Sequence, residues 1–259
     1  MAIGVCKMCG DHGPLIRAHL IPDQLLKRMV PTDPRKTHVS VSISTGKLKR
    51  KQTLESDSEI LCAKCDHLLG LYDEKFLRFV DAWLSTPGRD EIVARDVPAR
   101  TASIDCDPAA IKLFILGTLI RFSASSRYPN LSLGPYMKVF SNWLQAKSIP
   151  QDYRRYASAV MIGMATHWVD GNERKIDLSQ MARQGPTLCR LGQAYIYMFE
   201  LLGLLILIKI GKAPWPESFR SYSDILRDRS RIDLPIIPFD TSLVFRNAFE
   251  AARESRQLD

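Results

Sequence analysis

Cys6-Lys-Met-Cys9-Gly10 and, well downstream, Ile60-Leu61-Cys62-Ala-Lys-Cys65-Asp66 are the stretches that decide the fold. Each Cys-x-x-Cys pair has the spacing of a zinc knuckle, a tight turn whose two sulfurs face one ion, and Gly10 tolerates the bend. Two pairs supply four soft ligands, the donor set of tetrahedral Zn²⁺, and a four-sulfur shell leaves no open position for chemistry. The ion expected at Cys6, Cys9, Cys62 and Cys65 is therefore structural. In so small a unit its binding contributes directly to folding.

The segment between the knuckles is punctuated. Leu15 to Leu20 is short and apolar, ends at His19, and is closed by Pro22; Asp23 then caps a short helix reaching Met29. His38 to Ser44 alternates with period two, Thr45-Gly46 makes a turn and Lys47 to Thr53 returns, which predicts a hairpin. The second knuckle opens a helix with Leu69, Tyr72, Phe76, Phe79 or Val80, and Trp83 on one face, ended by Pro87-Gly88. From Lys27 to Lys51 eight basic residues stand against one acid, Asp33. A solvated charged hairpin and a phosphate-contacting arm both fit that pattern.

From about residue 100 the character changes. Asp107-Pro108 reads as an N-cap followed by proline at the first helical position, opening a helix through Phe114, Leu119 and Phe122. Arg121 within it suits either an ion pair with an acid of the same half or a structural anchor. Tyr136 to Lys147 reads as an amphipathic helix, and Ser158 to Val169 as a strand. Residues 193 to 210 read as two buried strands around a Leu202-Gly203 turn, although periodicity alone also admits a helix. Proline-rich segments follow, then a last helix from Asp240-Thr241-Ser242 to about Arg256. The expected class is α+β: a small zinc-stabilised domain over residues 1–90, then a domain of mixed helices and antiparallel strands over 100–259. The boundary falls between Gly88 and Ala109.

The chain has 259 residues, 46% hydrophobic and 25% charged, a composition that argues against disorder over most of its length. Its formal net charge of +8 favours polyanionic partners. The start MAIGVCKMCG has no apolar signal-peptide core. The apolar run Tyr195 to Ile210 is shorter than the ~20 residues of a membrane span and is interrupted by Glu200 and Gly203. Six cysteines without a secretion signal suit a reducing compartment, with Cys106 and Cys189 as buried free thiols. A cytoplasmic protein with no membrane association is expected.

The order Cys-x-x-Cys, then His19-Leu-Ile-Pro22, a hairpin, and Leu61-Cys62-x-x-Cys65 opening a helix, resembles the HNH endonuclease family over about residues 4 to 80. That family is built on a ββα-metal motif embraced by a four-cysteine zinc site. The resemblance implies hydrolysis of DNA phosphodiester bonds with His19 as general base, a role that suits an imidazole of pKa ~6.5. It also implies a catalytic Mg²⁺ or Mn²⁺ near Asp57 and Asp66, acting as Lewis acid on the scissile phosphate. Asp66 and Asp73 share a helix face, as do His67 and Glu74, and either pair could complete such a site. Ala18 stands where many members carry a metal ligand, and it cannot ligate. His12, His38 and His167 read as ordinary structural histidines. Arg17 would lie near a bound phosphate, with Lys47, Lys49, Arg50 and Lys51 on the hairpin, giving affinity without sequence information.

Three functions follow in order. The first is a metal-dependent endonuclease acting on DNA, with RNA as the other substrate, whose C-terminal domain selects substrate or forms a homo-oligomer. The second is a non-catalytic zinc-stabilised nucleic-acid-binding or adaptor protein on the same scaffold. The third is a protein-interaction module. A setting in phage biology or bacterial defence follows from the resemblance alone.

Overall fold

Two short strands and a knuckle between them begin the fold. β1 (Ala2–Val5) pairs antiparallel with β2 (His12–His19), and β2 pairs antiparallel with β5 (Ser56–Cys62), giving a three-stranded sheet of order β1-β2-β5. The structure, a computed structural model, describes residues 2–29, 38–41, 48–51, 56–86, 100–164, 167–169, 175–177, 185–191, 193–215 and 230–237. Along β2, Leu15 and Ala18 are buried while Arg17 is exposed. β5 runs directly into α2 (Ala63–Leu84), so β2, β5 and α2 form a ββα unit. Between β2 and β5 lie α1 (Asp23–Met29) and the hairpin β3 (His38–Val41) with β4 (Leu48–Lys51), its register His38 opposite Lys51. The expected turn Thr45-Gly46 and the helix stop Pro87-Gly88 lie outside the described residues.

The face of α2 expected from spacing is the buried one: Leu69, Tyr72, Phe76, Phe79, Val80 and Trp83. Their main partner is α3 (Pro108–Ala124), capped by Asp107, whose Oδ1 accepts from the Ala110 amide at 3.2 Å. From Ala110 to Phe122 every residue of α3 is buried, including Lys112, Thr118 and Arg121, as expected of a helix enclosed on all sides. Phe76 stacks on Phe114 with ring centroids 3.8 Å apart. Gly117 admits Leu69 so closely that a Cβ would lie 2.8 Å from Leu69 Cδ2. Along these contacts residue numbers fall on α2 as they rise on α3, so the helices run in opposite senses. α4 (Tyr136–Ala146) packs beside them and ends at Lys147, whose φ of 54° is left-handed.

β6 (Arg100–Asp105), β7 (Ala157–Met164), β10 (Thr187–Leu191), β11 (Ala194–Leu201), β12 (Leu204–Ile210) and β13 (Arg231–Ile237) form a six-stranded sheet of order β10-β11-β12-β7-β13-β6. Its pairings are antiparallel except β13 with β7, which is parallel. The two strands expected around Leu202-Gly203 are β11 and β12, joined by residues with φ of 54° and 74°. Positive φ at both central positions is the hairpin geometry that continues strand twist. The strand expected over Ser158 to Val169 is broken: β7 ends at Met164, and β8 (His167–Val169) pairs instead with β9 (Lys175–Asp177).

Trp83, at the end of α2, joins the ββα unit to the large sheet. Its Nε1 donates to the Leu202 carbonyl at 3.0 Å, and its ring fills the place a Gly163 side chain would need, 2.5 Å from an ideal Cβ. Buried residues from Leu15 through Phe76 and Phe114 to Ile236 belong to one apolar cluster. The chain is thus α+β, with an N-terminal ββα segment bearing four cysteines followed by mixed helices and strands. No helix among the described residues is long and apolar enough to cross a membrane. The expected helix from Asp240 lies outside the described residues.

Candidate metal centre and the face beside it

The two knuckles meet. Cys6 and Cys9 sit in the β1–β2 connection, Cys62 ends β5, and Cys65 lies in the first turn of α2. Their four Sγ atoms all lie within 4.8 Å of one another, and Cys9 Sγ is 3.9 Å from Cys62 Sγ. A Zn–S bond of ~2.3 Å puts the sulfurs of a tetrahedron about 3.8 Å apart, so the donor set fits a tetrahedral dication. The backbone prepares the same geometry. Gly10, with φ of 83°, donates its amide to the Cys6 carbonyl at 2.9 Å, and the Cys62 amide donates to Cys6 Sγ at 3.4 Å. Amides aimed at sulfur favour thiolate.

The thiols differ. Burial pushes Cys6 up, but amides of Cys9, Cys62 and Met8 outweigh it and leave it lowered to about 7. Burial lifts Cys9 to about 11, and burial together with the charge of Cys6 lifts Cys65. A bound cation would favour the thiolate form that ligation requires.

An irregularity in β5 links this centre to His19. Leu61 faces Ile16 and Asp57 faces Ala18, so two steps on β2 are matched by four on β5, with Ser58 and Glu59 exposed in the bulge. Asp57 Oδ1 accepts from the Glu59 amide at 2.9 Å and closes the bulge, while the Ile60 carbonyl accepts from the Lys7 amide of the first knuckle at 2.8 Å. The strand is thereby bent into the cysteine cluster at one end and reaches His19 at the other, where His19 faces Ser56.

His19 is half-buried at the end of β2. Asp66, in the first turn of α2, is half-buried, and burial holds its carboxyl above the usual carboxylate range. Arg121 opposes that shift most, Asp73 adds to it, and His19 and His67 oppose it more weakly. His19, Asp66, Asp73 and Arg121 thus form one electrostatic neighbourhood. Arg121 is 3% exposed and pairs with Asp73, Nη1 to Oδ1 at 2.8 Å and Nη2 to Oδ2 at 2.6 Å. Its partner therefore lies on α2, whereas the sequence predicts either a partner in its own half or a structural anchor. Burial in the joint between helices explains why: Asp73 is the acid that Gly117 and Leu69 bring into reach.

Asp57 is 9% exposed, and its Oδ2 accepts from Ser125 Oγ at 2.7 Å. Both of its oxygens, like both of Asp73, are engaged within the protein. The Asp66 carboxyl makes no hydrogen bond with the described residues. Arg17 is exposed and its Nε donates to Ser56 Oγ at 2.7 Å, directly beside His19. Lys49, Arg50 and Lys51 lie on β4, and Lys47 lies outside the described residues. His12 and His67 are exposed, and Glu74 is paired with Arg78. Cys106 is half-buried and not buried, its thiol lifted to about 11 by burial and then by the Asp107 and Asp105 charges; the Cys189 side chain is outside the described residues.

Ser125 and Ser56, which fix Asp57 and Arg17, carry no sequence signal: a serine gives no local sign of a partner 68 or 39 residues away. No protein-family model, curated protein or solved structure matches the chain.

Proposed function

We propose that the ββα segment is the catalytic part of a DNA endonuclease of the HNH type, with His19 as general base. What supports this reading is the place of His19 at the end of β2 and of Asp66 in the first turn of α2, on two elements that flank the four-cysteine cluster. In this reading Zn²⁺ at Cys6, Cys9, Cys62 and Cys65 is structural and fixes the angle between β5 and α2. His19 takes the proton of the attacking water, and Asp57, held by Ser125 and the Glu59 amide, fixes the strand on which His19 is registered. A Mg²⁺ or Mn²⁺ ion carried by Asp66 and substrate would supply Lewis acidity at the scissile phosphate. Arg17 and the β4 residues Lys49, Arg50 and Lys51, with Lys47 before them, give backbone affinity that weakens with salt.

A second reading, a nucleic-acid binder without catalysis, is favoured by one observation. Ala18 is fully buried next to His19, so the position offers no ligand and no room for one.

Plasmid DNA incubated with Zn-loaded protein and Mg²⁺ or Mn²⁺ separates the two. The nuclease reading expects nicking or cutting, reduced at least ~10²-fold by His19→Ala, the scale of a lost general base. Binding without cleavage under either ion, or equal cleavage by the variant, overturns it in favour of the binder.

A further inference from the structure

The buried Nε of Arg121 has no hydrogen-bond partner, although both terminal nitrogens of the same guanidinium are bonded to Asp73. A donor left bare inside a protein is rare enough to call for an acceptor in some state of the molecule. The position suggests which. The contacts Phe76 with Phe114 and Leu69 with Gly117 run in opposite senses along α2 and α3, so the next step brings Arg121 alongside the Asp66 end of α2. Asp73 takes both terminal nitrogens, which leaves Nε to an acceptor other than Asp73. A buried donor without an acceptor therefore lies near a half-buried carboxylate without a donor.

We propose that Arg121 is a positioning residue for Asp66. One carboxylate oxygen of Asp66 accepts from Arg121 Nε, and the other is held toward His19 and the substrate phosphate. Arg121, almost wholly buried, does not touch DNA. Asp73 fixes the fork, Gly117 sets the helix spacing, and the second half of the chain thereby shapes the face used by the first. The inference rests on the reading of His19 and Asp66 as the working pair.

Two measurements on full-length, Zn-loaded protein test it. In cleavage assays Arg121→Lys keeps the charge but lacks the fork; kcat should fall ~10²-fold, the cost of a group misplaced by about an ångström, with KM for DNA unchanged. An Arg121→Lys protein with wild-type zinc content and kcat overturns the proposal. The second readout needs no activity. In ¹⁵N spectra the slowly exchanging Arg121 Nε–H signal, identified by its loss in Arg121→Lys, should move in Asp66→Asn while the Asp73-bonded Nη signals stay. If Arg121→Lys does not fold, the same signal is identified by selective arginine labelling of the wild type and Asp66→Asn. An Nε–H signal indifferent to Asp66 overturns the positioning role. Absence of cleavage by wild type with a coupled Nε–H defeats the nuclease reading and leaves the Arg121–Asp66 pairing standing.

Discussion

The cysteine-bearing corner and the six-stranded sheet share one apolar cluster yet are held by different forces. β12 is buried along its whole length, so hydrocarbon burial of ~1.5–3 kcal/mol per large side chain carries the sheet. β1 has the opposite character: Ile3 is 76% exposed and Val5 49%, so its outer residues give the sheet little. What fixes β1 to β2 and β5 is the backbone ladder and four convergent sulfurs. The helix starts repeat the contrast. α3 is capped by the Asp107 side chain, whereas Cys62 at the start of α2 makes no side-chain capping bond and offers its sulfur to the cluster instead. One region is carried by its core; the other adds to its share of that core four sulfurs placed to hold an ion.

The sharpest way to break this contrast is to remove a sulfur. Structural zinc supplies roughly 10–16 kcal/mol of apparent binding energy in small domains, so Cys65→Ser should lose zinc and unfold the ββα segment. Metal analysis with thermal melting followed by circular dichroism checks it. Retained melting behaviour in metal-free protein would mean that the core alone suffices.

Trp83→Ala asks whether the two regions melt together. It removes a fully buried indole at the junction with Leu202 and Gly163, and should cost ~3–5 kcal/mol. One cooperative transition at lower temperature is expected because the shared cluster crosses the junction. Two separated transitions would show regions that fold independently.

Ser125→Ala is smaller and more local. It leaves Asp57 Oδ2 buried without its donor, at a cost of ~1–3 kcal/mol. Since Asp57 closes the bulge opposite Ala18, hydrogen exchange at the β2–β5 ladder should rise more than exchange in β12. Equal protection in both would mean that the bulge is held by its backbone alone.

Much of this was legible in the sequence, for reasons that differ by element. The knuckles, α2 and the Asp107 cap are local patterns, so spacing and residue type suffice. The Leu202-Gly203 hairpin is local too. β6 and β13 are not: they pair across 130 residues, Ser103 to Asp233, and β13 carries Pro235 in a strand flanked on both sides. Proline argues against an interior strand, so that segment read as irregular. For the candidate site, the convergence of the four cysteines was readable from their spacing. The engagement of Asp57 and Asp73 was not, because it depends on Ser125 just after α3 and on Arg121 within it, and no spacing rule links them to the knuckles.

The mildest test compares the two helix starts by pH. Lys75, bonded to Asp107 at 2.8 Å, holds that carboxyl below the usual range; burial opposes this and the Ala110 amide adds to it. A depressed carboxylate contributes stability that is present above its unfolded pKa of ~3.9 and is lost as pH falls through the folded value. The Asp107 and Lys75 side chains are each 49% exposed, so water and salt screen the ion pair and the cap should dominate. Asp107→Ala should therefore cost ~1 kcal/mol at neutral pH, and Asp107→Asn, which keeps an acceptor for the Ala110 amide, much less. Both variants should converge on wild type in acid, measured by urea unfolding at pH 7 and pH 3. If Asn is as damaging as Ala at pH 7 and salt removes the difference from wild type, the ion pair to α2 holds this helix start and not the cap. The α3 start would then also lean on its neighbour, as the α2 start joins the cysteine cluster.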